Sequence, residues 1–496
     1  MKTKILRNIL TAVNLLAALG ILVCAAAPDS PAQQKPKHRT YRLIDLGTLG
    51  GPTSYSYAII AQSMNARAAV IGQADTLMPD PNFPNCNFFI FTNCPDPFLE
   101  HAFISSHGVL TDLGAIPGGS SGAFWINDAG VVAGASTTGS IDPLTGLPAA
   151  EAVIWKNGTM IRLGDLGGHQ AFANAVNDRE QVGGFGANTI PDPFSLFGFF
   201  CDPTGSNCVE MRAFVSERGV MRDIGTLGGP DAYLYVINNR GAVGISYTNS
   251  TPNPTTGIPT ADPFLWVNGR MTDLGTLGGT IGDAEWINNA GQVVGTSDLA
   301  GDLVTHPYLW DHGVMTDLGT LGGDNGFALN INDAGTIIGF ADLPDGTHHG
   351  FIWKRGVMSD VGTIGSDPCS NVAHLNGKEQ VIGFTTDCQG TKHRAFLWEN
   401  GEIADLNSLV NPPSNETIVE ATDINERGEI TADAILPNGD EHVVLLIPNG
   451  DCDSSCESRI AASQSNAPLA PISKHPRLNP AERVRMMMRQ RPASKL

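Results

Sequence analysis

A seven-residue phrase, Asp-Leu-Gly-Thr-Leu-Gly-Gly, returns along this chain and limits what the chain can fold into. Copies or variants begin at Asp45, Asp112, Arg162, Asp223, Asp273, Asp317, Asp360 and Asp405. The second reads DLGAIPGG and the third RLGDLGG, and the last two are degraded to DVGTIGS and DLNSLV. Successive spacings are 67, 50, 61, 50, 44, 43 and 45 residues. Self-similarity at such a period predicts a repeat architecture, in which each unit buries its faces only against its neighbours.

Residues 271–317 display one unit. DAEWIN (Asp283 to Asn288) mixes apolar and polar residues as a short strand does, and NAG turns the chain. QVVGTS, HPYLW and VMTDLG supply three further β-branched or aromatic runs. Nothing in the unit has helical length or a 3.6-residue period. With 57 Gly, 32 Pro and only 16% charged residues, the whole composition suits short strands and tight turns. Four strands in roughly 44 residues is the size of a propeller blade. The strands are named A to D here, in chain order within a unit.

The first recognisable element, YRLIDLG (Tyr41 to Gly47), is a D strand with no A, B or C before it. The last, HVVLLIP (His442 to Pro448), is a C strand with no D after it. Eight A–B hairpins lie between, marked by Asn65, Asn127, Asn177, Asn238, Asn288, Asn332, Asn376 and Asn425. The count balances if the N-terminal strand completes the last blade. The expectation is therefore an all-β protein, a β-propeller of eight four-stranded blades over residues 41–450. Seven blades, with one unit folded irregularly, is the alternative count.

The DLGTLGG phrase, the IN..G.VVG hairpin and the triplet HAF (His101, Ala102, Phe103) resemble the HAF repeat of bacterial probable extracellular repeat proteins. The resemblance covers nearly all of the expected mature chain. It implies secretion, and no general activity or site residues come with it. Glycine three residues after the hairpin asparagine, part of the pattern, is replaced by Ala68, Glu180 and Glu379.

Residues 1–26 read as a secretory signal: Lys2, Lys4 and Arg7, then an apolar run from Ile9 to Val23, then small residues. Residues 27–40 read as a linker, and 451–496 as a disordered tail ending in basic RVRMMMRQRPASKL. A secreted or periplasmic location follows, with no transmembrane segment in the mature chain. Eight cysteines then pair as near neighbours: Cys86 with Cys94, Cys201 with Cys208, Cys369 with Cys388, Cys452 with Cys456. A formal charge of -20 argues against a nucleic-acid partner. No cofactor is implied, calcium being the one ion that an acidic surface admits.

Residues recurring at the same place in several or most blades are scaffold. These include the hairpin asparagines, the strand-C tryptophans Trp155, Trp266, Trp310, Trp353 and Trp398, and the histidines His101, His306, His349 and His442. Function in repeat proteins more often sits in insertions on one face. The B–C loops are long in the first four units only. Two of them carry exposed aromatic clusters, Phe88, Phe89 and Phe91 in the first, and Phe194, Phe197, Phe199 and Phe200 in the third. They mark a contact patch for a glycan or a protein, or a small core within each loop. The reading is a monomeric, non-enzymatic binding protein. The alternatives are a propeller hydrolase or lyase acting on a polysaccharide, and a structural envelope component.

Overall fold

The computed structural model describes residues 38–57, 61–83, 97–254 and 256–450, and the account below concerns the unit Thr40–Leu496. The described chain is all-β apart from a 3-10 turn at Leu196–Gly198 and one helical turn at Leu406–Leu409. Its strands form six four-stranded sheets and one eight-stranded sheet. The eight-stranded sheet consists of two antiparallel meanders joined by one parallel pair, Ala261 with Ile281. Meanders are numbered here as sheets 1 to 8. Sheet 5 is typical: strand A is Gly278–Ile287, B Val293–Leu299, C Thr305–Asp311 and D Val314–Asp317. Strands A of the other sheets are Ser54–Tyr55, Ser121–Ile126, Ala171–Val176, Ala232–Ile237, Gly326–Ile331, Cys369–Leu375 and Thr417–Ile424.

Sheet 8 takes its D strand from the start of the chain. Tyr41–Asp45 runs antiparallel to Glu441–Pro448, Tyr41 opposite Pro448 and Asp45 opposite Val444. Apolar clusters bridge successive sheets, and one made by Ile44, Met64, Val70, Phe103, Val443 and Leu445 joins sheet 8 to sheet 1. Meanders stacked face to face in chain order fit a β-propeller.

Each residue of the repeated phrase has a local task. In sheet 5, Asp273 Oδ1 accepts the Gly275 N–H at 2.7 Å, and Gly275 takes φ 74°. Leu274 is 8% exposed in the core between sheets, whereas Leu277 is half-buried. Thr276 Oγ1 donates to Gly279 O at 3.0 Å. A Cβ on Gly279 would stand 2.4 Å from that of Asp298, so the crossing to the next strand A admits only glycine. The replaced turn glycines keep the left-handed backbone: φ is 56° at Ala68, 60° at Glu180 and 62° at Glu379.

The hairpin asparagines do more than close their own turns. Asn376 Oδ1 accepts the N–H groups of Lys378 and Gln380, and its Nδ2 donates to Asn425 O of the next sheet at 3.0 Å. The same donation runs from Asn65 to Asn127, Asn127 to Asn177, Asn177 to Asn238, Asn238 to Asn288, Asn288 to Asn332 and Asn332 to Asn376. Asn425 turns its Nδ2 to Met64 Sδ of sheet 1, at 3.8 Å.

Two expected disulfides are formed, Cys201–Cys208 and Cys369–Cys388. Cys86, Cys94, Cys452 and Cys456 lie outside the described residues, as do the expected signal, most of the linker and the C-terminal tail. Among the described residues no helix is long and apolar enough to cross a membrane.

Candidate functional site

The long loops and the D–A crossings share one end of the sheets, and a cavity of about 680 Å³ opens there. Its roof is the B–C loop of sheet 3. Asp192 starts that loop by accepting the Phe194 N–H at 3.0 Å. Asp202 folds its tip by accepting from Thr204 N, Thr204 Oγ1 and Ser206 N, and Cys201–Cys208 ties the tip. Asp231, fully buried, holds the loop down by accepting the Leu196 and Met211 N–H groups. Burial first, and then the neighbouring Asp192, push the Asp231 carboxyl well above its ordinary range. Tyr247 adds a further tie, donating from its hydroxyl to Phe194 O at 2.9 Å.

The walls are Phe194, Leu196, Phe197, Ile245, Tyr247, Ile258, Ile281 and Phe327, and the polar groups are Ser195, Asp283, Thr296, Asp298 and Thr305. Ser195 Oγ is a buried hydroxyl with no hydrogen-bond partner among the described residues. Asp283, 6% exposed, accepts the N–H and the hydroxyl of Thr296 at 3.1 and 2.6 Å. Burial pushes its carboxyl up to about 6; the Thr296 bonds pull the other way, and nearby Asp298 adds to the rise. Asp298, 1% exposed, accepts from Thr305 Oγ1 at 2.6 Å. A carboxyl titrating near neutrality in an apolar cavity can donate or take a proton at working pH.

Asp283 breaks the repeat. Five residues before the hairpin asparagine, successive sheets from sheet 2 onward carry Gly122, Phe172, Tyr233, Asp283, Phe327, Asn371 and Glu420. Three polar side chains therefore occupy a register position that elsewhere is aromatic or glycine. Asn371 is fully buried with neither Nδ2 nor Oδ1 partnered among the described residues. Glu420, 5% exposed, lies 3.8 Å from His393 Nδ1. Sequence reading passed over these residues because it searched the loops. Aligning strands A on the asparagines would have exposed them.

Of the expected aromatic patch, Phe194 and Phe197 line the cavity. Phe199 is half-buried against Phe197, ring centroids 5.2 Å apart. Phe200 is not an exposed residue: at 3% exposure it stacks on Phe185 in the core. Phe88, Phe89 and Phe91 lie outside the described residues. The strand-C histidines bond the D-strand aspartates through Nδ1: His101 with Asp112, His306 with Asp317, His349 with Asp360 and His442 with Asp45, all at 2.9–3.0 Å. Among the described residues no three His, Cys, Asp or Glu side chains gather as metal ligands would.

No protein-family model matches the chain, and no curated protein matches it. Solved structures with a similar fold include the β-propeller domain of the Trilobed protease from Pyrococcus furiosus, at 10% identity and TM-score 0.36, over 73% of this chain and 99% of that one. Acylaminoacyl peptidase from Pyrococcus horikoshii aligns at 11% identity and TM-score 0.38, over 79% of this chain and 59% of the peptidase. Trypanosoma rangeli sialidase aligns at 7% identity and TM-score 0.30, over 86% of this chain and 61% of the sialidase.

Proposed function

We propose that this chain is an eight-bladed β-propeller, closed by Tyr41–Asp45, which binds a carbohydrate in the cavity beneath the loop of sheet 3. We read it further as a HAF-repeat protein of an oxidising compartment, secreted or periplasmic, a reading that the disulfides support. The carrying observation is the lining: aromatic faces for sugar rings, beside Asp283, Asp298, Thr305 and the unpartnered Ser195 hydroxyl for sugar hydroxyls. A second reading, hydrolysis of a glycosidic bond, is favoured by one fact. The Asp283 carboxyl is raised to about 6 beside a second carboxyl, the pattern of a general acid and its partner.

One experiment separates the readings. Oxidised protein is screened on a glycan array, and each hit is incubated in bulk and analysed for cleavage. The binding reading expects a hit lost at least tenfold in Phe197→Ala, with no product released. The enzyme reading expects product from the native chain and none from Asp283→Asn. A blank array from folded protein would overturn both and leave a protein partner or an envelope scaffold.

A further inference from the structure

The opposite end of the sheets, where the asparagine turns lie, holds a second cavity of about 220 Å³. Its floor includes Trp125 and Trp286, the two tryptophans outside the strand-C set. They stand two residues before the hairpin asparagine, where other sheets carry Ser63, Ala175, Val236, Asn330, His374 and Asp423. Sheets 2 and 5 are not neighbours, yet these rings meet with centroids 5.4 Å apart. The pair therefore reaches across the centre on which strands A converge.

Asp128, Asp178 and Asp333 rim the cavity, and no lysine or arginine lines it. Each carboxylate is fixed by a neighbouring turn: Asp128 by the Ala66 N–H, Asp178 by Asn239 Nδ2, and Asp333 by the N–H and Nδ2 of Asn289, all near 3 Å. Arg240, which follows Asn239 in sequence, is turned to Asn289 O instead. A separate observation concerns Asn239, which also lines the cavity. Its Nδ2 is spent on Asp178, while its Oδ1 is a buried acceptor with no donor among the described residues. Between Tyr41 and Gly450 the chain carries 45 acidic and 16 basic residues, so the surrounding field favours a cation.

From an aromatic floor, a carboxylate rim and an acceptor lacking a donor, we infer that this mouth binds a primary alkylammonium group. The ring faces attract the charge. The N–H groups supply Asn239 Oδ1 and the carboxylates with donors, which a quaternary ammonium lacks. The site is independent of the carbohydrate cavity at the other end.

The test is calorimetric titration of the full chain with three probes: cadaverine, the peptide acetyl-Gly-Lys-Gly-amide, and the same peptide with norleucine for lysine. Saturable binding is expected for one or both amines and none for norleucine. Affinity should fall at least tenfold in the double variant Asp178→Asn, Asp333→Asn, and again in Trp286→Leu, with circular dichroism unchanged. Tighter binding of cadaverine assigns the site to free amines, and tighter binding of the peptide to protein lysines. No saturable binding to folded protein, equal binding of the norleucine peptide, or an unaltered affinity in the double aspartate variant overturns the inference.

Discussion

At the scale of single residues, the informative positions are those where one sheet departs from the others. In most sheets a strand-C residue and the D-strand residue eleven places on are joined by a side-chain hydrogen bond, an ion pair where the strand-C residue is arginine. These pairs are His101 with Asp112, Arg212 with Asp223, His306 with Asp317, His349 with Asp360 and Arg394 with Asp405. Glu151 with Arg162 reverses the order of charges, and His442 with Asp45 forms the pair across the termini. Sheet 4 alone sets Asp262 against Asp273. Burial first, and then Asp273, push the Asp262 carboxyl up to about 7. That lies above its unfolded value of 3.8, so the folded state binds the proton more tightly. The resulting stability is full below about pH 4 and is lost as pH rises through about 7. Asp262→Asn, which cannot ionise, should match the native chain at pH 5. It should exceed the native chain at pH 8 by about 1 kcal/mol, after discounting for partial exposure. Chemical denaturation at the two pH values measures this, and parallel stabilities for the two proteins would contradict it.

At the scale of the element, the asparagine turn is both a hairpin closure and a joint between sheets. Asn376 is 3% exposed and makes both sets of bonds. Alanine there removes two accepted and two donated hydrogen bonds and leaves the buried Gln380 N–H without its acceptor, a net loss of about 2–3 kcal/mol. Asn376→Asp keeps the acceptor, and at pH 4, where burial keeps the carboxyl protonated and its O–H can donate, it should recover part of that loss. Urea denaturation of both variants decides the matter; an alanine variant within 0.5 kcal/mol of the native chain would reduce the belt to an ornament. The turns and strands were legible in the sequence because glycine, asparagine and β-branched residues mark them through local backbone preference. The disulfide from Cys369 to Cys388 was legible too, since the unit pattern puts a D–A crossing and a B–C loop at the same end of a sheet. The cavity was only half legible. Phe194 and Phe197 stood out in a long insertion, but Asp283, Asn371 and Glu420 sit in strands whose other copies are core. Their role depends on which inner position each sheet presents, a fact of register that propensity does not encode. The joining of one asparagine turn to the next was hidden for the same reason, because it spans about fifty residues of chain.

At the scale of the molecule, the question is what holds the first and last sheets together. Seven C–D hairpins turn through a residue and a glycine both at positive φ, such as Asn157-Gly158 and Arg355-Gly356. The eighth C–D pair has no turn, because its strands come from opposite ends of the described chain. Tyr41 is fully buried and Ile44 is 3% exposed, and burying side chains of that size contributes about 1.5–3 kcal/mol each. The strand is also anchored at its ends. Asn411 N–H donates to Tyr41 O at 2.7 Å and Asn449 N–H to Thr40 O at 2.8 Å, while His442 pairs with Asp45. Its loss would therefore consume a large share of the roughly 5–15 kcal/mol by which a domain is stable. It would also expose Glu441–Pro448 as an open edge. A chain beginning at Gly47 should melt well below the longer chain, or without a cooperative transition. A synthetic peptide spanning residues 38–47 should restore the transition in a concentration-dependent way, as a ligand that binds only the folded state must. Thermal melts followed by circular dichroism test both halves. If the shortened chain melted as the longer one does, sheets 1 and 8 would have to be held together by their direct contacts alone, such as Ser63 with Thr431 and the Met64 N–H with Asp423. The first strand would then be an edge cover and not a clasp.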